Sequence, residues 1–171
     1  MNLTGKASTL TLMSIRLTAM MLIAITLRAS PAAAEWVQKT GETMSIWSDA
    51  GTTIKDEYAR EDVMPRMEIR CEQGGALAAR IDWGRFISSF STEVGFKVDN
   101  GNFIWLKWKV DGSEKVTLSP SADDSRRLLT SVSGGKTLTV DVAPYSEGPI
   151  VVTFDLAGFT EVLDSLRADC Q

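Results

Sequence analysis

Few residues in this chain could perform covalent chemistry. The sequence has no histidine, and its two cysteines are Cys71 and Cys170. A cysteine nucleophile would therefore have no histidine to activate it. The serines at 88, 89 and 91 lie outside any Gly-x-Ser-x-Gly turn, so a serine hydrolase is disfavoured. The sequence predicts no metal and no cofactor, because histidine, the commonest protein metal ligand, is absent.

Carboxylates are the remaining catalytic option. Glycoside hydrolysis needs two carboxyl groups held at a defined separation across a cleft. Six aspartates lie near the ends of predicted strands or before predicted helices: Asp82, Asp99, Asp111, Asp123, Asp124 and Asp155. We interpret the last three as helix caps. A carboxylate-based envelope hydrolase therefore stays an alternative, and the sequence predicts a protein that is not an enzyme.

The first 34 residues have the pattern of a cleaved export signal. Lys6 and Arg16 precede an apolar run over 17–27, and small residues at 30–34 provide a cleavage site after Ala34. An uncleaved N-terminal anchor is the alternative. Cleavage would leave 35–171 as one domain in the periplasm or secreted. All 22 acidic residues lie in that part, so its net negative charge argues against nucleic-acid binding.

The two cysteines are expected to pair in an exported chain. Cys71 lies on the apolar face of the alternating segment 67–73, and Cys170 continues the apolar stripe of a predicted C-terminal helix. Two cysteines in an exported protein most simply form one disulfide. Two buried free thiols are the alternative. A Cys71–Cys170 bond would clamp the last helix to the sheet.

A β-hairpin is predicted around the Asp-Asn-Gly-Asn segment 99–102. A two-residue Asn-Gly loop would pair Asp99 with Asn102 and mix the polar and apolar faces of the two strands. Pairing Asp99 with Phe103 keeps the faces separate, because a slip of one residue moves a whole apolar set to the other face. We therefore predict the second register, in which Phe96 lies opposite Leu106 and Val98 opposite Ile104.

The polar face of this hairpin is the candidate binding surface. It combines aromatic rings with lysines, an arrangement that suits a glycan, a peptide or a protein partner. The alternative is that this face packs against another sheet, with the lysines reaching solvent at its edge. We call this surface the aromatic–lysine strip, and its members are Lys97, Phe103, Trp105, Lys107 and Lys109.

The remaining pattern predicts a mainly β fold. Alternating segments at 67–73, 76–84, 93–99, 103–110, 136–144 and 149–155 predict strands linked by hairpins, and 52–66 is interpreted as a loop. A short helix follows Pro120, and Phe159, Leu163 and Leu166 share one face of a C-terminal helix. The order favours an antiparallel β-sandwich or open barrel with the last helix packed over an edge or an open end.

Several segments resemble periplasmic proteins associated with type VI secretion, the TagO/VasI-like family. They are "MEIRCEQGG", "EVGFKVDNG" with the downstream Trp108, and the tail "TLTVDVAPYSEGPIVVTFDLAGFTEVLDSLRADC". The likeness spans 67–170, although Lys97 occupies a position that is usually arginine in that family. The resemblance implies a small accessory factor of the Gram-negative envelope. We therefore expect a non-catalytic envelope binding protein, with a hydrolase or hydrolase inhibitor acting near the cell wall as the alternative.

Overall fold

The computed structural model describes residues 35–41, 43–56, 59–145 and 147–170. The predicted export signal, 1–34, lies outside the described residues. The described part holds eleven strands and two helices. They are β1 (Val37–Lys39), β2 (Ser45–Asp49), β3 (Ile54–Asp56), β4 (Glu61–Val63), β5 (Arg66–Cys71), β6 (Leu77–Asp82), β7 (Ser91–Val98), β8 (Ile104–Val110), β9 (Val116–Leu118), α1 (Ala122–Val132), β10 (Thr137–Val142), β11 (Ile150–Asp155) and α2 (Phe159–Asp169).

Nine of these strands form one antiparallel sheet, in the order β1-β2-β5-β6-β9-β8-β7-β10-β11. The sheet curls until its two ends meet. Gly51, after β2, donates its backbone N–H to the Thr153 carbonyl of β11 at 2.8 Å. The Trp36 indole N–H reaches the Asp155 carbonyl at 2.7 Å. The curled sheet with two packed helices confirms the predicted mainly β fold.

The core lies on the concave face of the curled sheet. Strand alternation places Leu138, Val140 and Val142 of β10 there, with Val152 and Phe154 of β11. The threonines of both strands lie on the convex face, as predicted for β10, and so does the exposed Val151. Removal of this apolar surface from water is the main contribution to the stability of such a domain. The largest side chains fully buried in the core are Trp83, Trp108, Phe154, Phe159, Ile46, Met67, Ile69, Ile81, Ile87, Leu129, Leu138 and Leu163.

The last helix is fastened to the sheet, as the sequence predicted. Cys71 of β5 and Cys170 form a disulfide with their Cα atoms 5.6 Å apart. The apolar stripe of α2 is buried, and the Phe159 ring lies 4.6 Å from the ring of Trp36. Neither helix of the described chain has the length and apolar character needed to cross a bilayer.

The helix caps differ from the prediction. Ser121, not Asp123 or Asp124, is the N-cap of α1, and its hydroxyl accepts the backbone N–H of Asp124 at 3.1 Å. Asp155 accepts the N–H of Ala157 at 2.8 Å and so closes the turn before α2. The N-cap of α2 is Gly158, with φ of 73°. Glycine adopts this left-handed conformation without the steric cost that other residues incur.

The register of the β7–β8 hairpin differs from both sequence alternatives. Phe96 pairs with Ile104 and Val94 with Leu106, a shift of two residues from the predicted pairing. The shift is even, so the polar and apolar faces stay as predicted. Asp99 explains it, because its carboxylate accepts the backbone N–H groups of Lys136 and Thr137. These contacts hold Asp99 at the start of β10 and leave a longer loop before β8.

The segment predicted as a loop, 52–66, contains a two-stranded ribbon of β3 and β4. The ribbon could not be predicted from local pattern, because the segment is polar and charged and lacks apolar alternation. A contact from elsewhere in the chain fixes the ribbon: the Arg85 guanidinium donates a hydrogen bond to the Lys55 carbonyl. The ribbon therefore depends on the tertiary fold more than on local pattern.

Candidate functional site

The structure brings the five residues of the aromatic–lysine strip together on the convex face of β7 and β8. Trp105 is 47% exposed, and Lys107 and Lys109 are exposed beside it. The Phe103 and Trp105 rings lie 5.6 Å apart at an angle of 30°. The Lys97 Nζ atom lies 5.0 Å from the centre of the Phe103 ring. The alternative that this face packs against a second sheet is wrong, because these side chains reach solvent.

A glycine fixes the position of the central indole. A Cβ placed at Gly95 would lie 2.9 Å from the Cη2 and Cζ3 atoms of Trp105, closer than real contacts allow. Gly95 pairs directly with Trp105 across the hairpin. The indole therefore rests on bare backbone, and it extends from β8 across β7. The sequence carried a signal for this, because glycine inside a strand often marks a close approach of another group.

Asp141 was not predicted as a site residue. It lies in one row with Trp105 and Gly95 across three neighbouring strands. Asp141 pairs with Gly95 on the far side of β7, so Trp105 extends towards it. Its Oδ1 atom is buried and has no hydrogen-bond partner among the described residues. Burial raises the pKa of the Asp141 carboxyl above its ordinary value. A carboxylate in this position attracts hydrogen-bond donors of a bound group.

The strip lysines form no ion pair with any residue that the structure describes. All ion pairs found between described residues use arginine, as in Arg66–Asp49 and Arg167–Asp164. The same face carries Glu93, which pairs with Lys107 across the hairpin, and Asp141, which pairs with Gly95. The three lysines therefore outnumber the acidic side chains of this face by one, on a chain that has a net negative charge. Such local charge attracts acidic partners and raises their association rate.

The candidate catalytic carboxylates all make structural contacts. Asp82 accepts the N–H of Gly84, and Asp111 accepts the N–H of Ser113, both at 2.9 Å. Asp123 pairs with Arg126 of the same helix at 2.8 Å. Asp99 accepts N–H groups at the start of β10, and Asp155 closes the turn before α2. The Asp124 carboxylate accepts the Ser121 hydroxyl at 2.6 Å. Among the described residues, no three acidic or cysteine side chains cluster in a way that could hold a metal ion.

An ion pair between a buried arginine and a half-buried glutamate holds the loops at one end of the sheet. Arg85 is 3% exposed and bonds both carboxylate oxygens of Glu147, at 2.6 and 2.7 Å. With its contact to Lys55, it joins three segments that are distant in sequence. This pair was not predicted, because nothing in the local pattern distinguishes Arg85 from a surface arginine. Its contacts are those of a structural clamp.

Comparison with known proteins identifies a similar fold and does not identify a function. No protein-family model matches the chain, and no curated protein matches it in sequence. The chain is similar in structure to the invasion associated protein B of Bartonella henselae. The TM-score is 0.50 at 15% sequence identity, covering 80% of this chain and 94% of the other. At this identity the likeness shows a shared fold, and function has to be argued from the residues.

Proposed function

We propose that this protein is an exported, disulfide-stabilised binding protein of the bacterial envelope that performs no covalent chemistry. Its partner binds on the aromatic–lysine strip. The observation that carries the proposal is the exposed indole of Trp105, held in place over Gly95. A rigid aromatic side chain loses little conformational entropy when a partner covers it, so such residues often dominate binding energy.

Two further observations support binding on the strip in preference to catalysis. The strip lysines form no ion pair among the described residues, and Lys97 and Lys109 lie opposite Thr139 and Ser91, so both are available to a ligand. The candidate catalytic carboxylates already make turn, cap and helix contacts. The chain also lacks histidine. A binding role without catalysis needs neither a free catalytic carboxylate nor a histidine.

The export part of the proposal is supported by the leader-like pattern over 1–34 and by the Cys71–Cys170 disulfide. Disulfides form and persist in the periplasm and outside the cell. The likeness of the tail to the TagO/VasI-like family supports a narrower version, in which the partner belongs to a type VI secretion system. Identification of the captured partner by mass spectrometry tests that narrower version separately.

The test is quantitative capture of partners from a periplasmic extract by the immobilised 35–171 protein. Trp105→Ala is expected to lose the captured partner. Trp47→Ala is the matched control, because it removes the same side chain from the convex face of β2. The proposal fails if Trp105→Ala captures the partner as well as the unaltered protein does, while both variants remain folded by circular dichroism.

A further inference from the structure

Strand β8 extends beyond the end of its neighbour β9. It pairs with β7 from Ile104 to Lys109, but with β9 only at Lys109 and Val110. Continuing the β9 register would place Lys107 opposite Pro120, which has no N–H group to donate. The chain then turns into α1 at Ala122. In the described structure, the edge of β8 from 104 to 107 therefore has no paired strand.

The backbone groups at this edge point away from β7. Val110 donates its N–H to the Phe90 carbonyl on the β7 side at 2.8 Å, and Asp111 donates to Val116 on the β9 side at 3.0 Å. Backbone hydrogen-bonding groups alternate between the two sides of an antiparallel strand. The N–H and C=O groups of Trp105 and Lys107 therefore share the direction of those of Asp111. They face the open edge.

An apolar groove lies beside this edge, on the concave side of β8. It has a volume of about 170 Å³ and separates β8 from α1. Its wall includes Ile104, which is 54% exposed. A cavity of about 150 Å³ is large enough for a benzene ring, so the groove has room for one large apolar side chain. The lining residues are Phe96, Ile104, Leu106, Arg127, Leu128 and Ser131.

The charges around the edge favour an acidic partner. Lys107 and Lys109 lie on the convex side, and Arg127 lies at the groove. None of the three has an ion-pair partner among the residues that the structure describes. A strand added here would alternate its side chains between the groove and the lysines. Apolar side chains suit the first set of positions and carboxylates suit the second.

We propose that the open edge of β8 binds an extended acidic peptide segment of a partner protein by strand addition. This inference rests on the proposed function, because Trp105 and Lys107 belong to the aromatic–lysine strip. Main-chain hydrogen bonds to Trp105 and Lys107 supply affinity, and the groove selects an apolar side chain at alternate positions. A glycan partner would use the strip alone, since it cannot continue the ladder of backbone hydrogen bonds.

The test compares two substitutions at Lys107. Lys107→Ala removes the side chain and keeps the edge N–H, whereas Lys107→Pro removes both. Proline is tolerated here, because the lost N–H does not pair with β7. The probe is the acetylated peptide Glu-Leu-Glu-Val-Glu-Thr-Glu-Ser, titrated by calorimetry. We expect Lys107→Pro to bind it about tenfold more weakly than Lys107→Ala, which corresponds to about 1.4 kcal/mol.

A second measurement uses the unaltered protein and does not depend on how the proline variant folds. Two further versions of the probe are N-methylated. In one version the methyl groups are on the amides that face one edge of the extended peptide, and in the other version they are on the amides that face the opposite edge. Strand addition predicts that one version loses binding and the other keeps it. Equal binding of the two versions overturns the proposal. So does the absence of binding of the unmodified probe at millimolar concentration.

The partner captured from extract separates this proposal from the broader one. One outcome is that Trp105→Ala loses the partner, while Lys107→Pro and Lys107→Ala capture it equally well. In that case the strip binds a partner without strand addition. If Trp105→Ala also keeps the partner, the broader proposal fails as well. Capture that falls with Lys107→Pro beyond the effect of Lys107→Ala supports strand addition.

Discussion

Replacement of Cys71 and Cys170 by serine tests how much of the stability of the fold depends on the fastening of α2. The disulfide joins residues 99 positions apart. In the chain-entropy model, closing a loop of about 100 residues stabilises the folded state by about 4.7 kcal/mol. The free energy of unfolding of a typical domain is about 5–15 kcal/mol. We therefore expect the double variant to lose about a third or more of its stability.

The same variant should remain folded, because α2 keeps its packing. Phe159, Leu163 and Leu166 are buried, and burial of each such side chain contributes about 1.5–3 kcal/mol. The helix then becomes the first element to open. Hydrogen exchange is expected to accelerate over 156–170 more than over 136–154, where β10 and β11 keep their hydrogen-bonded neighbours.

Urea unfolding followed by fluorescence measures the size of the effect. With a slope of about 2 kcal/mol per molar urea, the midpoint should fall by about 2 M. Unaltered protein with and without reductant is the control for the serine side chains. A loss below about 1 kcal/mol, with equal acceleration of exchange in both segments, would refute the reasoning, since it would mean that packing alone holds the helix.

Three further substitutions test the other contacts. Glu147→Gln should destabilise the fold by about 3 kcal/mol in urea unfolding, because it leaves the buried charge of Arg85 unpaired; an unchanged midpoint would contradict this. Asp141→Asn should stabilise the protein at neutral pH. A raised folded pKa means that stability falls as pH rises past the ordinary aspartate value, so the gain should vanish at lower pH. Gly95→Ala should displace the Trp105 indole and weaken partner capture while changing the unfolding midpoint little.

The elements that the sequence predicted are those specified by local periodicity. Alternation in β10 assigns Leu138 and Val140 to the core, and the helical spacing of Phe159 and Leu163 does the same for α2. The five strip residues were predicted to share a face for the same reason. Periodicity decides which face a residue occupies, and it does not depend on which strands become neighbours.

The features that the sequence did not predict depend on contacts between distant segments. The hairpin register depends on Asp99 binding the start of β10, 37 residues further along the chain. The row of Trp105, Gly95 and Asp141 exists because β10 pairs with β7. No local pattern specifies that pairing. The ion pair of Arg85 and Glu147, 62 residues apart, was missed for the same reason.

The central claim is that a partner covers the aromatic–lysine strip, and oxidative footprinting of tryptophan measures this directly. Trp105 is half exposed on the strip, and Trp47 on β2 serves as an internal reference within the same molecule. With the captured partner bound, we predict that oxidation of Trp105 slows several-fold while oxidation of Trp47 does not change. Oxidation of Trp105 at the same rate in the free and bound protein would contradict the account.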